Sequence, residues 1–294
     1  MQIKSTSTTK KFDVDGHIAS RHDRHQSANI HSKNYPGLAT IELNITELCN
    51  RTCSFCPRHD EEIYPNQKLF MELDTVRKLV TELNNSDWHG DVHITGFGEP
   101  HTHPKLLEIV TILREADVFI EITTNGDRLV DSDIDYTIKL FQAGLDLLTV
   151  DCYDGDKQYA DRIWNMRKLN HHGKFRLRKH YDTGNAQELI SEYGFNNRGG
   201  LLGGVGVQNQ CYLPFYKTLI DWDGGMVLCC NDWHRQAGTM GNIVTESLEL
   251  CWNSDKLKLI RAELAQGLRR GVCANCSIVG TKFGGDSFLI HTQD

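Results

Sequence analysis

The sequence predicts an α/β protein: a parallel sheet curved into a partial (β/α)6, TIM-like barrel, with a small C-terminal domain attached. Three observations predict it. Apolar stretches of strand length alternate with stretches of helical period, residues of unusual chemistry fall where those strands end, and two groups of cysteines divide the chain. The pattern begins at residue 38. Strands are read at 41–45, 92–94, 118–122, 145–151 and 174–178, with helices at 71–85, 104–116, 132–143 and 156–169 between them. Val76, Leu79, Val80 and Leu83 share one face of the first helix, and Gly144 closes the third. With a sixth strand expected near Val205–Val207, the barrel falls short of the eight strands of the closed form. The expected domains are a polar N-terminal extension (1–37), the partial barrel (38–204) and the C-terminal domain (205–294).

Residues 1–37 are rich in His, Ser, Lys and Asp and lack periodicity, so they read as an extension or flexible arm. Four histidines lie between Gly16 and Lys33, without the fixed spacing of a metal site. The 294 residues, 39% hydrophobic and 24% charged, suit one large or two modest domains with a sizeable core. The N-terminus lacks an apolar signal region, and no stretch reaches the roughly 18 apolar residues of a membrane span, so a cytosolic, cytoplasmic protein is expected. A net charge of −7 argues against a nucleic-acid surface. Ten cysteines without a secretory signal point to metal binding in a reducing compartment rather than to disulfides.

The run Cys49-x3-Cys53-x2-Cys56 directly follows the first strand. Three thiolates hold three irons of a four-iron cluster and leave the fourth free to chelate a small molecule. A zinc site is the alternative, but zinc knuckles pair two C-x2-C units and no fourth ligand follows at short spacing. With Phe55 just before its third cysteine, the triplet resembles the signature of the radical S-adenosylmethionine (radical SAM) superfamily. The resemblance implies a 4Fe-4S cluster that cleaves S-adenosylmethionine to a 5′-deoxyadenosyl radical, a small polar substrate, and a reducing partner such as flavodoxin or ferredoxin.

Further elements carry the resemblance along residues 36 to 285. Strand two ends in Gly96-Phe97-Gly98-Glu99-Pro100, where small residues admit a ligand to the backbone and Glu99 can accept from an ammonium. It is similar to the family's GGEP element, which holds the amino group of S-adenosylmethionine. Strand three ends in Thr123-Thr124-Asn125-Gly126, similar to an element near the cofactor's ribose and carboxylate, which implicates Thr124 and Asn125. Asp151 on strand four stands where many relatives place a serine near the ribose. On strand five, Arg176 and Arg178 share a face, so they are expected to face the barrel interior and a carboxylate; a solvent-exposed edge strand is the alternative.

The C-terminal third carries Cys211-x12-Gly224-x4-Cys229 and Cys273-x2-Cys276, enough thiolates to close a second cluster. Asp223-Gly224 between two apolar runs signals a hairpin, and a helix is read from Ser254 with Leu257, Ile260 and Leu264 on one side. This resembles the shortened SPASM domain called twitch, which implies an auxiliary 4Fe-4S cluster on Cys211, Cys229, Cys273 and Cys276. Structural zinc is the competing reading. Cys152, Cys230 and Cys251 remain. Cys152 has outward parity and Cys230 points away from its neighbour Cys229.

The resemblance is strongest to twitch enzymes of aminocyclitols and aminoglycosides, both dehydrogenases and epimerases. Epimerisation needs a thiol to return hydrogen to the substrate radical, and Cys251 is the candidate donor. Alcohol oxidation with the auxiliary cluster as electron acceptor is the alternative, and peptide epimerisation a further one. A non-catalytic cluster-bearing module fits the cysteines but not the elements on strands two and three. Phe195–Gly200 and Asn231–Arg235 are read either as substrate contacts or as loop-anchoring networks.

Overall fold

The computed structural model describes residues 21, 23–129, 134–166, 173–180, 182–191 and 195–293. His17 and His22, and the ends of two expected helices, lie outside the described residues.

Seven strands form one sheet in the order β5-β4-β3-β2-β1-β6-β7. They are β1 (Thr40–Leu43), β2 (Asp91–Ile94), β3 (Phe119–Thr124), β4 (Leu147–Cys152), β5 (Lys174–Lys179), β6 (Lys217–Ile220) and β7 (Met226–Val227). The first six pair in parallel, and β7 folds back antiparallel on β6. Helices α1 (Leu73–Asn84), α2 (Leu106–Leu113), α3 (Ile134–Gln142) and α4 (Asp156–Met166) fill the crossovers between β1 and β5.

The expected sixth strand at Val205–Val207 is corrected. Those residues are irregular, Val205 is 86% exposed, and the sixth parallel strand is Lys217–Ile220 beside β1. The sheet therefore runs past the expected domain boundary at 204/205. Asp223-Gly224 does turn the chain from β6 into β7, with Gly224 at φ 83° and Gly224 N–H donating to Asp221 O.

Alternation along the strands separates two kinds of surface. Ile41, Leu43, Val92, Ile94, Ile120, Ile122, Leu148 and Val150 point outward and are buried under Val76, Leu79, Val80, Ile109, Val110, Leu113 and Leu140 of the helices. Each such side chain contributes about 1.5–3 kcal/mol of burial. The inward face is polar, carrying Glu42, Asp91, His93, Glu121, Thr149, Asp151, Arg176 and Arg178. Such a lumen cannot close on itself as an apolar barrel does; its charges need partners.

Part of the expected flexible arm supplies one. Arg24 enters the lumen, donating from Nε to Asp91 Oδ2 at 2.7 Å and from Nη2 to Glu121 Oε2 at 2.7 Å, with its guanidinium over the Phe119 ring. Ile30, Tyr35 and Leu38 then bury their side chains. From Arg21 onward the described part of this segment is thus docked. Buried carboxylates on β2 and β3 require the cation, a constraint that local composition does not display. No helix among the described residues is long and apolar enough to cross a membrane.

Candidate active site

The chain leaves β1 through Asn44–Cys56 and passes over the carboxyl ends of the strands. Asn44 and Glu47 hold this passage. Asn44 Oδ1 accepts from Phe97 N at 2.7 Å, while Glu47 pairs with Arg58, two residues beyond Cys56, at 2.5 Å. Arg58 is 2% exposed and also donates to Phe97 O at 2.6 Å. One buried network thus locks the cysteine loop to the Gly96–Pro100 loop, and Arg235 extends it through Glu47 and Asp221 to the hairpin. Gly98 is required because a side chain there would strike the Thr46 and Leu48 carbonyls. Gly96 is required twice over, by φ 151° and by Asn44 Oδ1, 2.5 Å from where its Cβ would stand.

Around this frame lies a cavity of about 260 Å³, lined by Cys49, Cys53, Cys56, Phe55, Gly96, Gly98, Glu99, Thr124, Asn125, Asp151 and Arg178. All but one of the cofactor contacts expected from sequence therefore meet in one place. Glu99 is fixed there: Oε1 accepts from Thr124 Oγ1 at 2.6 Å and from His101 N, and Oε2 accepts from Asn125 N at 2.9 Å. Asp151 receives both Nε and Nη2 of Arg178, at 2.5 and 2.7 Å, and the Tyr153 hydroxyl. Burial opposes the Asp151 charge, but Arg178 outweighs it and holds the carboxyl below its ordinary range. Phe55 packs on Tyr153 and Phe195, with centroids 5.1 and 4.9 Å away.

Arg176 is the exception. It faces the lumen as its parity predicts, one pleat below the cavity and toward Glu121, and does not line the cofactor site. Phe175 and Leu177, of opposite parity, pack against the core.

Cys251 is not at the site. It lies in the short helix Leu248–Trp252 on the outer face of the barrel, 1% exposed, where Leu248 N donates to Glu82 of α1. Its surroundings are Gly241, Glu246 and Glu82. The expected hydrogen donor is corrected to a packing residue. Its helix is amphipathic, and the apolar side that carries Cys251 turns to α1 rather than into the barrel. Cys152 also packs outward, fully buried.

Sequence reasoning passed over Glu42 and Arg51 and gave Cys230 no role, yet all three line the cavity. Strand parity was the available signal for Glu42, the lone carboxylate in an otherwise apolar strand. Of the two candidate segments, each divides. Arg198 and Trp233 reach the cavity, whereas Asn197 ties its loop to Ser277 and Asn275, and Asp232 caps Gln236 and Ala237.

The thiols form two groups. Cys49, Cys53 and Cys56 lie close enough to feel one another's charge; burial raises all three, Cys49 to about 11 and Cys53 to about 12. In the second group Cys229 feels Cys273 and Cys211, and Cys273 feels Cys211 and Cys276, again with thiols raised by burial. Buried neighbouring thiols are costly to ionise alone and suit a bound cationic centre that deprotonates them. No group of three or more His, Cys, Asp or Glu among the described residues is placed to hold one metal ion.

Several polar atoms at or beside this cavity are buried without a partner among the described residues: Glu42 Oε2, Thr123 Oγ1, Trp233 Nε1, and both side-chain atoms of Asn231. Such orphans are rare in a finished interior and mark a place completed by a polar ligand.

Comparisons with known proteins accord with this geometry. The model of the radical SAM superfamily matches residues 43–206, and that of the SPASM iron-sulfur cluster-binding domain matches residues 211–277. The S-adenosyl-L-methionine-dependent 2-deoxy-scyllo-inosamine dehydrogenase of Niallia circulans is 23% identical over 262 residues, 82% of this chain and 94% of the relative. A probable GTP 3′,8-cyclase of Thermococcus kodakarensis is 27% identical over 133 residues, 45% of this chain and 40% of its own. Among solved structures, BtrN in complex with AdoMet and 2-DOIA aligns with a TM-score of 0.69 at 23% identity, covering 84% of this chain and 96% of BtrN. BtrN in an open conformation gives 0.58 at 21%, covering 82% and 93%. These likenesses show a common fold. The chain belongs to the radical SAM superfamily, and it is an enzyme that uses S-adenosylmethionine, a 4Fe-4S cluster and, through its SPASM domain, an additional iron-sulfur cluster.

Proposed function

We propose that this member of the radical SAM superfamily is a dehydrogenase that oxidises a secondary alcohol of an aminocyclitol-like substrate to a ketone. The observation that carries the reading is the chamber itself. It is small, its lining includes polar atoms of Glu42, Thr123 and Trp233 without a hydrogen bond among the described residues, and its wall runs through Cys230 directly into Cys229 of the second thiol group. A polyol fits such a lining, and an electron acceptor beside it suits oxidation. The relative named a 2-deoxy-scyllo-inosamine dehydrogenase, matched over nearly its whole length, supports the same class. Cys251, on the far side of α1, offers an epimerase no hydrogen.

In this reading Cys49, Cys53 and Cys56 hold the first cluster, and Cys211, Cys229, Cys273 and Cys276 the second. When bound, S-adenosylmethionine and the first cluster supply the radical that takes hydrogen from carbon. The chain's own groups place the reactants. Gly96 and Gly98 let the cofactor approach the backbone, while Glu99, already oriented by Thr124 and Asn125, receives its ammonium. Asp151, held by Arg178, would meet the ribose, and Phe55 packs the cysteine loop against Phe195. The reductant is a one-electron donor such as flavodoxin or ferredoxin, and the ten thiols suit a reducing cytoplasm.

The test is anaerobic turnover of 2-deoxy-scyllo-inosamine with S-adenosylmethionine and a reductant. A ketone two mass units lighter than substrate, made in step with 5′-deoxyadenosine, is expected. A product of unchanged mass and inverted configuration, or no conversion, contradicts the reading.

A further inference from the structure

Oxidising an alcohol removes a proton as well as hydrogen and an electron, and the proton needs an acceptor within reach. Three carboxylates line the chamber besides the thiols. Glu99 has both oxygens engaged, by Thr124 and His101 on one side and Asn125 on the other. Asp151 has both engaged by Arg178, and the Tyr153 hydroxyl adds to one of them. Glu42 lies beside the Cys230 thiol and alone keeps an oxygen, Oε2, that accepts no well-formed hydrogen bond among the described residues, although the residue is only 4% exposed. Arg51, Arg178 and Arg198, the cations of the wall, have no lone pair to offer.

We propose that Glu42 Oε2 is the atom that accepts the substrate's hydroxyl proton. The assignment rests on the dehydrogenase reading above. After hydrogen leaves the carbinol carbon for the deoxyadenosyl radical, the remaining carbon radical gives its O–H proton to Glu42. One electron passes to an acceptor of the iron-sulfur class, and C–O becomes C=O. Two electrons and two hydrogens are then accounted for.

The surroundings of Glu42 suit this task. Its other oxygen, Oε1, accepts from Lys217 Nζ at 2.8 Å, so the side chain is anchored at one atom and open at the other. Burial alone would favour the neutral acid, but the Lys217 ammonium outweighs it and keeps the carboxylate ionised, the only form able to take a proton. Lys217 Nζ also lies 3.7 Å from Cys230 Sγ, whose neighbour Cys229 belongs to the second thiol group, so proton and electron leave toward the same wall. Beneath it Lys217 lines a second cavity of about 390 Å³ together with His93 and Asp91. Glu42 and His93 are cross-strand partners, so the proton taken up stands at the head of a polar lumen rather than in a sealed core.

Glu42→Gln in the reconstituted holoenzyme is the test, with 2-deoxy-scyllo-inosamine as probe. The variant should keep about eight irons and bind S-adenosylmethionine and substrate, by calorimetry, within about threefold of wild type. It should still generate the substrate radical and accumulate its electron paramagnetic resonance signal, while ketone formation falls on the order of 100-fold or more. Glu42→Asp should recover part of the rate. Ketone formation by Glu42→Gln within about threefold of wild type overturns the assignment while leaving the dehydrogenase intact. Loss of irons or of substrate affinity in both variants shows a structural role and overturns it equally. Failure of the wild-type enzyme to make any ketone removes the dehydrogenase reading, and this inference with it.

Discussion

A thiol matters to a radical only if the radical can reach it, and two cysteines of this chain divide on that point. Cys251 is enclosed between its short helix and α1, whereas Cys230 stands at the chamber wall. Cys251→Ala should therefore leave turnover unchanged and lower stability by about 1 kcal/mol through the small void it creates. Thermal unfolding, displaced downward by about 2–4 °C, together with an unchanged rate of 5′-deoxyadenosine formation, checks this. A variant that forms 5′-deoxyadenosine but no product would return Cys251 to the chemistry. The triplet, Glu99, Thr124, Asn125 and Asp151 could be read as one place because each follows a strand end, where a local string and its position coincide, and they do line one cavity. Cys251 and Cys230 have no such string; their places depend on which face of an element meets the barrel, and that is a tertiary fact.

At the scale of elements, the lumen is held by charge rather than by apolar layers. Arg24 crosses from the N-terminal segment to meet Asp91 and Glu121, and these carboxylates sit at the floor of the barrel. Burial would raise the Glu121 carboxyl, but His93 and the two arginines, Arg21 and Arg24, depress it well below the usual range. A depressed carboxylate contributes stability above its unfolded value and loses it as pH falls toward the folded one. Arg24→Met should therefore lower the melting temperature at neutral pH, and the deficit should narrow on acidification below about 4. Melting curves of both proteins from about pH 7 down to about pH 2 measure it; a deficit independent of pH would assign Arg24 to packing alone. The strands from β1 to β5 were legible in the sequence to within about two residues, since their apolar alternation is local. The sixth was not. Lys217–Ile220 reads as one arm of the hairpin, which it also is, and only its distant pairing with β1 makes it part of the barrel. The docking of residues 21–37 was hidden likewise, because a polar segment reveals its partners only when buried carboxylates are known.

For the whole molecule, the sheet brings two thiol groups and one polar chamber together from opposite ends of the chain. The first group and the cofactor loops come from the ends of β1, β2 and β3, and the second group from residues on both sides of the β6–β7 hairpin. Their shared wall makes the central claim a coupled one: the carbon that yields hydrogen to the cofactor is the carbon that becomes the ketone. Deuterium placed on that carbon of 2-deoxy-scyllo-inosamine measures this most directly. One deuterium should appear in 5′-deoxyadenosine for each ketone formed, with none released to solvent. Unlabelled 5′-deoxyadenosine beside a normal yield of ketone would contradict the account.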